Sequence, residues 1–292
     1  MEMNNTMEKR IHILLGMPRA GTTFLYHNFN KHPNIFLPFR RKTNYYAAHF
    51  NKGYDFFKGH FDEMSEDQIG LDTDTLSFLN SESYDRFRSD YRNQKVILVV
   101  RNPSSWAFSL YKQISSFTQS MPTFERYVKD GYNLVEDATE IPYHFEPGMV
   151  ADKISQISRD FKGNLLILNY DLLKKDALLF MKTIESFLGI DSFFNNENII
   201  TQKINSSDRN SNKFISSLLR KKWLIFILQN FIPRKLVIKI RYVYDSLSVK
   251  KTVPKQQIET ENDPELNFAK EYYASDEVFV QKLFAKSDIL LR

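Results

Sequence analysis

Cysteine is absent from all 292 residues, which excludes a disulfide framework and any thiolate-ligated metal site. The six histidines show no metal-ligand spacing of the His-Glu-x-x-His kind, so no metal centre is expected. No apolar run approaches the roughly 20 residues needed to cross a bilayer. The strongest attempt, residues 223–244, opens on Trp223, Leu224, Ile225, Phe226, Ile227 and Leu228 but is interrupted by Gln229, Asn230 and Pro233. Arg234, Lys235, Lys239 and Arg241 follow. This pattern suits a helix pair packed on the domain with its charges in water, or a basic amphipathic segment in peripheral contact with an anionic membrane. No low-complexity linker divides the chain and no sequence repeat is evident, so one domain over residues 1–292 is expected. Its core would span about residues 10–215, with a helical C-terminal extension over about 216–292. The formal charge of +5 suits an anionic ligand without implying nucleic acid. Residues 1–10 are charged and too short to hold a secretion signal, which gives the expectation of a cytoplasmic protein.

What is present begins with Gly16-Met17-Pro18-Arg19-Ala20-Gly21-Thr22-Thr23, between an apolar run at 11–15 and a helix-like stretch at 24–31. A strand, a tight glycine loop and a helix N-terminus turn several backbone N–H groups toward one point, which suits a phosphate or sulfate. The spacing nearly fits the nucleotide phosphate loop, but Thr22 stands where that loop carries its lysine. A Mg-nucleotide site also needs a metal-holding Asp at a neighbouring strand end. Here the apolar strand at 96–100 ends in Arg101 instead. Pro103 suits the first turn of a following helix, which places Ser109 two turns along it. An arginine grips phosphate through two parallel bonds and a serine hydroxyl adds a third. The same residues also fit a plain strand-to-helix turn and a surface arginine.

Short apolar runs at 11–15, 96–100 and 165–168 read as strands buried on both faces. Amphipathic stretches at 24–31, 103–117, 149–161 and 172–188 read as the helices between them, and Asp263-Pro264 opens a last helix over 265–284. Strand followed by helix, repeated, predicts an α/β fold with a parallel sheet flanked by helices. Ligands in such sheets sit at the carboxyl ends of the strands, where Arg19 and Arg101 both fall.

Pro18-Arg19-Ala20-Gly21-Thr22-Thr23 resembles the 5′-phosphosulfate-binding loop of the sulfotransferases, and Arg101 with Ser109 resembles their 3′-phosphate-binding pair. His32-Pro33-Asn34-Ile35, Asn169-Tyr170-Asp171-Leu172-Leu173 and Phe187-Leu188-Gly189-Ile190 are similar to further segments of that family. The resemblance covers about residues 10–215 and is closest in pattern to bacterial and carbohydrate sulfotransferases. It implies a phosphate-loop-like sulfotransferase fold and the donor 3′-phosphoadenosine 5′-phosphosulfate (PAPS), with no metal. It also implies a sulfuryl transfer to a hydroxyl or amine of a carbohydrate or other small-molecule acceptor.

Under that resemblance Arg19 and the backbone around Gly21, Thr22 and Thr23 would stabilise the charge that develops on the leaving oxygen. The stretch Asn205-Ser206-Ser207-Asp208-Arg209 looks like the loop that closes over the 3′-phosphate, with Ser206 and Arg209 as donor contacts. The general base is displaced. Lys42 stands where carbohydrate members carry a catalytic Glu, and Gly70-Leu71-Asp72-Thr73 replaces a Gly-Glu-Lys-Thr/Ser segment. Asp72 is the first candidate base and Asp74 the second. His49 and His60 are further candidates, and Lys42 would hold an acidic acceptor or the transferring sulfate. The aromatic stretch at 45–61 reads as an acceptor platform or as the core of a helical lid. Two other readings stand beside this one: a phosphate-loop kinase, and a sulfotransferase fold that binds without catalysis.

Overall fold

The fold comes from a computed structural model that describes residues 10–38, 42–91, 93–116, 118, 121–136, 139–200 and 263–292. The first apolar run forms β1, Ile11–Leu14, every residue of which is buried. After the glycine loop comes α1, Thr22–Phe29, then the short strand β2, Ile35–Phe36. A π-helical turn at Tyr45–His49 and α2, Tyr54–Lys58, lead to β3, Ile69–Thr73. Next are α3, Ser81–Asp90, and β4, Val96–Val100. Helix α4 follows at Pro103–Ser115 and α5 at Phe124–Asp130. The hairpin strands β5, Asn133–Glu136, and β6, Thr139–Pro142, precede α6, Met149–Asp160. Strand β7, Leu165–Asn169, runs into α7, Tyr170–Lys175, and α8, Ala177–Leu188. The described C-terminal part consists of α9, Pro264–Tyr272, α10, Ala274–Leu283, and β8, Ile289–Leu291.

Among the described residues the main sheet has six strands in the order β2-β3-β1-β4-β7-β8. All neighbours pair in parallel except β8, which runs antiparallel to β7. Helices cover both faces, which explains why β4 is wholly apolar and wholly buried. This is the expected α/β architecture.

Three expectations need correction. The stretch at 172–188 is two helices, because Asp176 adopts φ −147° and its side chain caps Leu179 N as a new helix start. The stretch at 265–284 is likewise split at Tyr273, whose ring is buried in the core. The sheet also contains β3, between β2 and β1, which the apolar runs did not reveal. Burial of Tyr45, Tyr46, Phe57 and Phe61 makes much of the aromatic stretch core; Phe50, at 40% exposure, is the large exposed ring there. Among the described residues no helix is long and apolar enough to cross a membrane. Residues 223–244, Ser206 and Arg209 lie outside the described residues.

Candidate active site

Parallel order puts the carboxyl ends of β3, β1, β4 and β7 along one edge, and the loop after β1 lies against the end of β4: Met17 N donates to Val99 O at 3.3 Å. Two residues of that loop adopt left-handed backbone, Arg19 with φ 71° and Gly21 with φ 85°. Gly21 sits at the N-cap of α1 and supplies no capping side chain. It is also wedged against α7, since a Cβ there would lie 2.5 Å from Leu173 Cδ2 and 3.4 Å from Tyr170 Cε2. Only glycine satisfies both the conformation and the space. Tryptophan fixes the other side of the loop, with Trp106 Nε1 donating to Pro18 O at 2.7 Å from a fully buried indole. Pro18 and Ala20 are buried supports, while Arg19, Thr22 and Thr23 are partly exposed.

At the end of β4 the sequence Arg101-Asn102-Pro103 starts α4. Pro103 occupies its first turn, and Asn102 caps it by accepting Ser105 N at 3.2 Å. The helix is therefore aimed so that Ser109 faces the loop. Arg19 Nε donates to Ser109 Oγ at 3.3 Å, and Arg101 Nη1 donates to Arg19 O at 3.1 Å. Arg101 Nε donates to Ser105 Oγ at 3.2 Å, and its guanidinium lies 5.1 Å from the centre of the Tyr170 ring. The structure thus gathers Arg19, Arg101 and Ser109 into one hydrogen-bonded cluster, although they lie in separate elements. The Tyr170 and Trp106 supports were missed in the sequence, where aromatic residues at an element's start carry no signal distinct from core packing. The positive charge of Arg19 also faces Tyr143, whose hydroxyl is pushed up to about 12 by burial against that charge.

The carboxylate pair lies at the carboxyl end of β3, beside β1, with Asp72 in the strand and Asp74 just after it. Asp72 pairs in register with Ile13 and is fully buried. Thr43 Oγ1 donates to its Oδ2 at 2.7 Å, and Thr73 N donates to its Oδ1 at 2.8 Å. Burial outweighs these bonds and, with the Asp74 charge nearby, pushes the Asp72 carboxyl up to about 7. Asp74 is differently employed: Leu76 N, Ser77 N and Ser77 Oγ all donate to it, at 3.0, 3.0 and 2.7 Å, in a turn cap. Burial raises its pKa too, opposed by those bonds and by the charge of Lys42. Lys42 donates to Thr75 Oγ1 at 2.5 Å, so it reaches the same turn. His49 and His60 flank the Phe56 ring, at 5.5 and 5.0 Å, within the aromatic cluster. Thr43 was not singled out in the sequence; its neighbour Lys42 drew the reading instead.

The chain thus combines an α/β fold with two arginines, Arg19 and Arg101, at the carboxyl edge of β1 and β4. A family model described as the sulfotransferase domain matches residues 10–252, and the chain belongs to that family. It is 23% identical over 194 residues to mouse heparan sulfate glucosamine 3-O-sulfotransferase 3A1, covering 65% of this chain and 47% of that protein. It is 28% identical over 102 residues to the membrane-associated sulfotransferase kil1 of Dictyostelium discoideum, covering 34% of this chain and 22% of that protein. The chain thus spans about half the length of the first of these relatives and less of the second. A solved sulfotransferase from Alicyclobacillus acidocaldarius superposes with a TM-score of 0.51 at 14% identity, over 81% of this chain and 96% of the other, which supports the shared fold.

Proposed function

We propose that this protein is a PAPS-dependent sulfotransferase that moves a sulfuryl group onto a hydroxyl of a carbohydrate or other small-molecule acceptor. The observation that carries the reading is the Arg19, Ser109 and Arg101 cluster at the carboxyl edge of β1 and β4. The donor set fits a doubly phosphorylated adenosine. The left-handed loop and the start of α1 suit the 5′-phosphosulfate, and Arg101 with Ser109 suits the 3′-phosphate. Gly21, packed against Leu173 and Tyr170 with no room for a Cβ, holds the left-handed turn that leads into the start of α1. When bound, PAPS supplies an activated sulfuryl group and a phosphate leaving group.

Arg19 stabilises the negative charge that builds on the leaving oxygen, and as an arginine it does so without giving up a proton. Thr22 and Thr23 add hydroxyl donors at the start of α1. Asp72 accepts the proton of the acceptor hydroxyl; a carboxyl titrating at about 7 is matched to base catalysis near neutrality. Asp74, whose oxygens hold the turn at 74–77, is the second candidate. Lys42 holds an acidic acceptor or the transferring sulfate. The names of the heparan sulfate relatives favour a carbohydrate acceptor.

A phosphate-loop kinase draws on one observation, the buried Asp72 on the strand beside β1. Calorimetric titration with adenosine 3′,5′-bisphosphate and with ATP, each with and without Mg²⁺, separates the two. Metal-independent binding of the bisphosphate is expected, and metal-dependent tight binding of ATP alone would falsify the sulfotransferase assignment. Transfer of label from PAPS to a panel of sugars then separates an enzyme from a fold that only binds.

A further inference from the structure

The C-terminal helix α10 reaches the donor cleft through two consecutive acids. Asp276 and Glu277 lie in its first turn, and neighbouring helical side chains diverge by about 100°. Each acid therefore meets a different helix. Asp276 accepts Gly148 N at 2.7 Å and Ala151 N at 2.9 Å, capping α6. Glu277 accepts Ser104 N at 2.9 Å and also accepts the Asn102 side-chain amide, closing on the N-terminus of α4. Asn102 in turn uses its Oδ1 to accept Ser104 Oγ at 2.9 Å and Ser105 N at 3.2 Å. Ser105 Oγ then accepts Arg101 Nε. A second route runs through stacked rings: Tyr273 on Phe145 at 4.3 Å, Phe145 on Trp106 at 4.2 Å, and Trp106 to the Pro18 carbonyl.

We propose that Glu277 is a positioning residue for the Arg101 grip on a nucleotide 3′-phosphate. The inference rests on the donor reading above. Because Glu277 occupies the Ser104 amide, the N-terminus of α4 is already satisfied by a carboxylate and disfavours a second anion. Recognition of the 3′-phosphate then falls to the side chains of Arg101 and Ser109. Their aim depends on Asn102, whose amide is oriented by Glu277 on one side and by Ser104 and Ser105 on the other. Glu277→Gln keeps the size and the bond from Ser104 N but sets an amide NH2 against the Asn102 NH2. Turning Asn102 over would break its bonds from Ser104 and Ser105, so the conflict passes to Arg101.

The test is the ratio of affinities for adenosine 3′,5′-bisphosphate and adenosine 5′-monophosphate, measured by calorimetry on the full chain. The unsubstituted protein is expected to prefer the bisphosphate by at least about 100-fold, the scale of one charge-assisted phosphate grip. Glu277→Gln and Glu277→Ala are expected to cut that preference by about 5- to 10-fold while leaving monophosphate affinity within about 2-fold. Adding Asn102→Asp to Glu277→Gln exchanges donor and acceptor across the contact and is expected to restore the preference. Absence of a preference in the unsubstituted protein overturns the donor reading itself. A preference present there and undiminished in both Glu277 variants overturns the positioning role alone. Equal weakening of both nucleotides, or failure of the Glu277→Gln protein to fold, marks a structural role and overturns it as well.

Discussion

Arg101 Nη1 donates to the main-chain oxygen of Arg19 at 3.1 Å, so the side chain that ends one strand holds the backbone of the loop that ends its neighbour. The two cationic residues are one unit. Strain at Arg19, which holds φ 71° although it is not glycine, is offset locally by this bond and by the side-chain bond to Ser109.

Arg101→Ala should therefore do more than remove a charge. It also releases the Arg19 carbonyl and lets the loop relax. We expect affinity for adenosine 3′,5′-bisphosphate to fall by about 100-fold, with Arg101→Lys recovering little, because an ammonium cannot span Ser105, Arg19 and a phosphate at once. Calorimetry on the three proteins checks this. Recovery to within about 3-fold by the lysine variant would show that point charge alone suffices.

Gly21→Ala forces a Cβ into Leu173 and a left-handed φ onto alanine. A loss of about 1–3 kcal/mol of stability is expected, together with loss of anion binding, since the loop must move to relieve the contact. Chemical denaturation and bisphosphate titration read the two effects separately. An alanine variant with unchanged binding would mean that the loop geometry is not what holds the anion.

Loop, cluster and strand order were legible to different degrees, for physical reasons. Residues 96–100 announce a doubly covered central strand because all five are apolar. The loop announces itself through the spacing of Gly16 and Gly21, although the packing of Gly21 against Leu173 and Tyr170 is tertiary. Strand β3 did not, because Gly70 and Asp72 break its apolar run; a Cβ on Gly70 would meet the Phe61 ring, and the buried Asp72 takes one of its hydrogen bonds from Thr43, 29 residues away. Such tertiary partners leave no periodic trace. The Glu277 contact with Asn102 and Ser104 spans more than 170 residues and is equally silent in the sequence.

Asp72 gives stability a pH dependence of definite sign. Its carboxyl titrates at about 7 in the folded chain against an ordinary value of 3.8. Between these values the folded protein retains a proton that the unfolded chain has released, so this group's contribution falls as pH rises from about 4 to 7 and stays low above. Asp72→Asn mimics the protonated acid and removes that loss. Equal stability of the two proteins at pH 4 and an advantage for the variant on the order of a few kcal/mol at pH 8 are expected from urea titrations. The same substitution should abolish turnover while sparing bisphosphate binding. A variant that retains full turnover would remove Asp72 from the role of base.

Thr43 tunes that titration, because its hydroxyl donates to Asp72 Oδ2 and so favours the ionised form against burial. Thr43→Val keeps the branching at Cβ and deletes the donor. With that support gone, the Asp72 midpoint should move above 7 by about one pH unit, the equivalent of one hydrogen bond to a charged group. The rising limb of the pH profile of kcat/KM should move upward by the same amount, with a plateau at high pH close to that of the unsubstituted protein. Coincidence of the two shifts would tie the ionisation seen in stability to the one used in turnover. A stability midpoint that rises while the activity profile stays in place would assign the catalytic proton to another group, with His49 and His60 next in order.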